Sequence, residues 1–152
     1  MNYWLLKSEP AVFSIHDLKR QGQAVWDGVR NYQARNHLRT AAIDDLAFFY
    51  HSSADPMGIA GLCKVLETGI DDPTQFEPKS AYYDPKSTRE APRWQTVRVG
   101  FVEAFSSLVT LETLKASFTG DELLVVRKGM RLSVMPVSAA AAKRILALAH
   151  DP

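Results

Sequence analysis

The side chains able to do chemistry in this chain fall into three groups, and two of them carry little. The four histidines, His16, His37, His51 and His150, lie far apart, and none has the i, i+4 partner of a helical zinc site. The single cysteine, Cys63, cannot build a thiolate metal site. Beside His51 it would make a nucleophile and base, but it stands in an apolar run and reads as a small core residue. Asp44–Asp45 and Asp71–Asp72 are neighbouring carboxylates, which do not flank a substrate from two sides and read as solvated turns. No phosphate-binding glycine loop and no dinucleotide fingerprint is present. No metal and no cofactor is therefore expected.

The third group is aromatic and basic. Trp26 stands directly before Asp27–Gly28–Val29–Arg30–Asn31–Tyr32. An indole beside a turn, an arginine and a helix start suits a planar anionic ligand. The ring would stack on a base, while Arg30 and the free N–H groups near Asn31 would bind phosphate. A core tryptophan with a surface arginine is the competing reading, and residue types alone leave both open. Lys7–Ser8, His51–Ser52 and Ser133 add polar groups at the ends of, or inside, apolar strands, where small hydroxyls suit the edge of a base pocket or ordinary turns.

Charge distribution points the same way. The net charge is only +1, yet Lys19–Thr40 holds five basic residues and one acid, Asp27. Lys79–Arg98 holds five basic and two acidic residues, and Arg127, Lys128 and Arg131 form a third basic group. If the three segments meet, they make an anion site on a neutral protein.

These residues need a scaffold. At 152 residues the chain is expected to be one domain, and 46% hydrophobic and 23% charged residues exclude a disordered chain or a coiled coil. No run of 18 apolar residues exists, so no membrane partner is expected. The apolar patch Tyr3–Leu6 is too short for a signal peptide, and one cysteine fits a reducing compartment, so a cytosolic protein, favoured as a monomer, is expected. Strands are predicted at Tyr3–Lys7, Ala24–Trp26, Leu46–His51, Ile59–Glu67, Val97–Phe101 and Arg131–Val134, the last stopped by Pro136. Helices are predicted after the capping residues Ser14, Asn31 and Ser138, and over Thr110–Ser117. Asp71–Pro92, with four prolines, reads as a long loop, a kind that is often functional. Five or six strands with short helices imply a mixed α+β fold, its sheet curled into a small barrel.

Taken in order, YWLLKSEP, WDGVRNYQARNHLR, FFYHSS, YYDPKS, PRW and LVVRKGMRLSVMPV resemble the EVE domain family over about residues 2–146. The resemblance implies a PUA-like barrel related to YTH domains. It implies a non-catalytic reader that takes a modified base of nucleic acid, a C5-modified cytosine in DNA, into an aromatic pocket. On that resemblance Lys7 and Ser8 belong to the pocket and phosphate contacts, Trp26 is the pocket aromatic, and Arg30, Asn31 and Tyr32 are its neighbours. His51, Ser52, Arg131 and Ser133 form the opposite wall, and Arg35 joins Lys7, Arg30 and Arg131 on the phosphates. The family usually carries Gly-Asp where Asp44–Asp45 stands and asparagine at Ser53. The long basic N-terminal extension of nuclear members is not in this sequence, in keeping with the cytosolic expectation. An RNA reader with the same pocket, an enzyme acting on a modified nucleotide and a protein-interaction module are the rival readings.

Overall fold

The computed structural model describes residues 1–151. Six strands, β1 (Tyr3–Ser8), β2 (Gln23–Val25), β3 (Leu46–His51), β4 (Gly58–Asp71), β5 (Gln95–Thr110) and β6 (Val134–Val137), form one sheet in the order β2-β5-β4-β3-β1-β6. β1 and β3 run parallel, and the other pairs are antiparallel. Four helices accompany them, α1 (Ile15–Gln21), α2 (Tyr32–Thr40), α3 (Leu111–Ser117) and α4 (Ala139–His150).

Local chemistry sets the helix ends. The Ser14 hydroxyl accepts from the Asp17 N–H, and the Asp17 carboxylate accepts from the Ser14 N–H at 2.8 Å, closing both ends of a capping box. Asn31 Oδ1 accepts from the Ala34 N–H at 3.0 Å and starts α2 at the predicted residue. Thr110 and Ser138 cap α3 and α4 in the same way.

The central strands are buried on both faces, which explains their unbroken apolar runs. Leu5 lies opposite Phe48 and Leu6 opposite Phe49. Alternation sends Leu5 and Phe48 into a cluster with Phe105, Met135 and Ile145 of α4. Leu6 and Phe49 enter a second cluster with Ile15, Trp26, Leu38 and Val97. That second cluster reveals the curl of the sheet. Trp26 follows β2, three strands from β3, or about 14 Å in a flat sheet. Its ring nevertheless lies 5.3 Å from that of Phe49 on β3, edge to face. The sheet therefore bends round this cluster, but β2 and β6 do not pair, so no closed barrel forms.

Three expectations change. The last strand begins at Val134, not Arg131, and continues through Pro136. It pairs only with β1, and an edge strand tolerates a residue without N–H. Arg131 and Ser133 thus sit on irregular backbone before the strand. β4 and β5 also run longer than expected, to Asp71 and Thr110. Finally, residues 71–94 are not a loose loop. They contain a 3-10 turn, Pro73–Phe76, and fold round the buried Gln75. Its amide donates to the carbonyls of Asp72 and Trp94 at 2.8 and 2.9 Å, and its oxygen accepts from the Ser87 hydroxyl and the Arg93 and Trp94 N–H groups.

Candidate functional site

Parallel pairing of β1 and β3 brings their C-terminal ends, Ser8 and His51, side by side. Ser52 N–H then donates to the Ser8 carbonyl at 2.9 Å, and Lys7 N–H donates to the Ser133 carbonyl at 2.9 Å. Three separate segments meet there and face the β2–α2 turn. Between them opens a cavity of about 920 Å3. Of the sequence-predicted residues, Lys7, Ser8, Trp26, Ser52, Arg131 and Ser133 line it.

Trp26 is the buried wall of this cavity. It is only 6% exposed, packed edge-on against Phe49 and Phe13. Of the two readings left open by the sequence, a partly exposed stacking ring and a core tryptophan, the burial fits the core position, and the bent sheet explains why the ring is covered. One atom remains open. The chain has three tryptophans, and the indole N–H of Trp4 donates to Asp45 at 2.9 Å and that of Trp94 to Asp84 at 2.8 Å. That of Trp26 has no partner among the described residues, yet no side-chain nitrogen there is both sealed from solvent and unbonded. The Trp26 N–H therefore keeps some contact with solvent, and the residue lines the cavity.

The other groups are also available. Lys7 is half-buried with no carboxylate partner; its ammonium lies 3.5 Å from the Met130 carbonyl and 5.8 Å from the Tyr50 ring centre. Burial pushes its pKa down. Arg131 and the hydroxyls of Ser52 and Ser133 have no side-chain partner among the described residues. The Ser8 hydroxyl is engaged, donating to the Phe13 carbonyl at 2.6 Å.

Five predicted residues lie outside the cavity, for identifiable reasons. Arg30 is a strut: its guanidinium donates to Asp72 at 3.0 Å, to Thr74 at 3.0 Å, and to the carbonyls of Tyr82 and Val29. Asn31 is occupied as a helix cap. Tyr32 stacks on Trp94 at 4.8 Å, and Arg35 covers the Tyr32 ring at 4.7 Å, both on the outer side of α2. His51 accepts from the Ile15 N–H through Nε2 at 3.2 Å and so anchors the start of α1. Burial first, then nearby His16, lowers its pKa, in keeping with a neutral ring.

Sequence reasoning missed Phe13, Asp27 and Tyr82, which also line the cavity. Asp27 was read as a turn residue. Its carboxylate accepts from no other described residue, and burial, then the negative charge of Asp72, pushes its pKa up. Tyr82 comes from the proline-rich segment, whose length was the only signal. The residue is 39% exposed, and its ring covers Gly28. The Arg30–Asp72 strut holds it there. Asp72, expected to be solvated, is 1% exposed; burial would raise its pKa, but hydrogen bonds from Thr74, Gly28 and Arg30 outweigh that and lower it. Asp45 is likewise buried, accepting from Asn2, Trp4 and Ala42.

Cys63 is fully buried, and burial pushes its thiol up to about 12. It pairs with Ala47 while His51 pairs with Gly58, so they lie about 13 Å apart along the hairpin and form no catalytic pair. Among the described residues no cluster of His, Cys, Asp or Glu suits a metal ion, and no helix is long and apolar enough to cross a membrane.

The model of the EVE domain matches residues 2–148. The chain belongs to the EVE domain family. Mouse thymocyte nuclear protein 1 is 44% identical over 90% of this chain and 69% of its own length. A crystal structure of a Pseudomonas syringae protein is 53% identical with a TM-score of 0.93, covering 96% of this chain and 98% of that one. The crystal structure of human THYN1 in complex with DNA containing 5-methylcytosine is 38% identical with a TM-score of 0.91, covering 100% of this chain and 99% of that one. The YTH domain of Mmi1, at 11% identity and a TM-score of 0.56, shares the fold.

These relatives overturn the cytosolic expectation, because proteins matching 90% of the chain are named as nuclear. The reason is physical. Cytosol and nucleus are both reducing, so a single free cysteine does not separate them.

Proposed function

We propose that the EVE-domain chain, acting as one domain, binds DNA and takes a C5-modified cytosine, turned out of the stack, into the cavity beside Trp26. The observation that carries this reading is the human relative bound to 5-methylcytosine DNA, with the same fold over the whole of this chain.

The cavity chemistry supports it. A cytosine presents an exocyclic amine that an aspartate can accept from, and ring acceptors that an N–H or hydroxyl can donate to. Asp27 offers the acceptor, and the Trp26 N–H with the Ser52 and Ser133 hydroxyls offer donors. Tyr82 at the mouth supplies an exposed ring face for stacking, the role the sequence assigned to Trp26. Lys7 and Arg131 hold the phosphates. Arg30, Asn31, Tyr32, Arg35 and His51 support the site through the strut, the caps and the outer stack. The chain is a reader in this account, with no residue assigned to bond making.

Burying one methyl contributes only ~0.8 kcal/mol, about fourfold in affinity. Preference beyond that needs polar contacts to a larger or oxidised substituent. Titration of oligonucleotides carrying cytosine, 5-methyl-, 5-hydroxymethyl- and 5-carboxylcytosine decides the matter. At least a severalfold spread is expected, and equal binding of all four rejects the reading.

A further inference from the structure

A second cavity, of about 590 Å3, lies across Lys7 from the first. The two share Lys7 and Ser52. Their charges differ. The first contains Glu9 and Asp27 beside its cations, whereas the second is lined by Lys7, Lys115, Arg127 and Lys128 and by no carboxylate. Arg127 has an outside partner, Asp121 at 3.4 Å. Lys115 and Lys128 are exposed and have no ion-pair partner among the described residues. The floor between them is apolar, with Met57 and Leu111 joined by the Leu111 N–H donating to the Met57 carbonyl at 2.9 Å.

Three lysines without a carboxylate partner, joined by Arg127, repel one another round an apolar lining until an anion joins them. An apolar floor with a cationic rim matches a nucleotide, whose base and sugar are flat and weakly polar and whose phosphate is charged. Lys7 already belongs to both cavities. We propose that the second cavity holds the nucleotide flanking the modified one on the same strand, its sugar and base over Met57 and Leu111 and its phosphates on Lys115 and Lys128. The inference rests on reading the first cavity as a base pocket. It divides the work: base identity is read on one side of Lys7, and backbone charge is gathered on the other.

The test compares the wild type with a Lys115→Gln, Lys128→Gln double variant by fluorescence anisotropy. Probes are a twelve-nucleotide strand with one central 5-methylcytosine and its unmethylated twin, across a salt series. The double variant is expected to bind both probes about tenfold more weakly, with the slope of log K against log salt shallower by about two. A thermal melt matching the wild type shows that the exposed substitutions left the fold intact. An unchanged slope and affinity, with the wild type still preferring the methylated strand, overturns the flanking site and spares the base pocket. A wild type with no preference, whose slope still drops in the variant, overturns the base pocket and keeps the backbone site. Displacement of the strand by polyglutamate as readily as by unlabelled DNA of equal charge makes the cavity a general anion site and overturns the proposal.

Discussion

Trp26 and Trp94 occupy two regions that are alike in composition and opposite in satisfaction. Trp26 lines a cavity together with Arg131, Tyr82 and Asp27, and Trp94 lies beside Arg30, Tyr32 and Asp84. Trp94 donates to Asp84, stacks on Tyr32, and has the guanidinium of Arg30 5.2 Å from its ring centre and that of Arg35 5.8 Å away. Its neighbours Gln75, Ser87 and Arg30 are bonded to one another or to backbone. Around Trp26, by contrast, the indole N–H, the Asp27 carboxylate, Arg131 and two serine hydroxyls have no side-chain partner among the described residues, and Lys7 has only a carbonyl at 3.5 Å and a ring face. What separates a structural knot from a binding cavity here is whether the polar atoms already have partners inside the protein. Residue type does not separate them.

The largest effects come from the two tryptophans themselves. Trp26→Ala and Trp94→Ala each remove a buried indole and are expected to cost ~3–5 kcal/mol of stability. Phenylalanine at the same positions splits them. Trp94→Phe leaves Asp84 without its donor and lowers the melting temperature, with binding unchanged once folded. Trp26→Phe keeps a ring against Phe13 and Phe49 and removes an indole N–H that has no partner among the described residues. It is expected to weaken nucleic-acid binding by ~0.5–1.5 kcal/mol with a smaller loss of stability. Melts and binding isotherms on both variants check this. If both phenylalanine variants melt lower and bind alike, the contrast between the regions is void.

Gly28 tests how the two regions are coupled. It has φ +85°, donates its N–H to Asp72 at 2.8 Å, and an added Cβ would lie 2.7 Å from the Tyr82 ring. Gly28→Ala is expected to cost ~1–2 kcal/mol of stability for the left-handed backbone and to push Tyr82 off the cavity mouth. Tyr82→Ala removes the ring without the backbone penalty. It is expected to lose ~1–3 kcal/mol of binding if the ring stacks on the base, with its melt close to wild type. A Tyr82→Ala protein that binds normally removes the tyrosine from the site.

How much of this was legible in the sequence follows from the same distinction. Elements defined by local signals came through: the Ser14–Asp17 capping box, the Asn31 cap and the LAFFYH strand stand where the pattern put them. The cavity was found through Lys7, Ser8 and Ser52 at strand ends that must converge, and through Ser133, expected inside a strand and found just before β6. Long-range partnership was not legible. Nothing local tells that Arg30 reaches Asp72, 42 residues away, or that His51 accepts from Ile15. Tyr82 and Asp27 were hidden for the same reason, since only the folded 71–94 segment carries the ring to the turn.

His51 extends the contrast to pH. A ring held neutral has a folded pKa below its ordinary 6.5. Its stabilisation is therefore complete above about pH 6.5 and is lost as the pH falls toward the folded value. Protonation also removes the acceptor for the Ile15 N–H. Wild type is expected to lose melting temperature between neutral and mildly acidic pH, and His51→Gln, neutral throughout, to show a shallower decline. Equal slopes would mean that His51 does not anchor α1.

The smallest effect concerns Ser53, where the resemblance drawn from the sequence leads one to expect asparagine. An amide at that point suggests a contact to the base, but Ser53 lines neither cavity, whereas Ser52 lines both. Ser53 has φ +51°, in the left-handed region that asparagine enters more readily than serine. Ser53→Asn is expected to stabilise the protein by up to ~0.5–1 kcal/mol through relief of that strain and to leave affinity for modified and unmodified strands alike. Ser52→Ala, one residue away, removes a hydroxyl from a residue that lines both cavities, and is expected to weaken binding with little change in melting. If Ser53→Asn instead raises affinity for one base over another, the amide reads the base. The boundary between backbone-shaping and ligand-facing residues would then have to include Ser53.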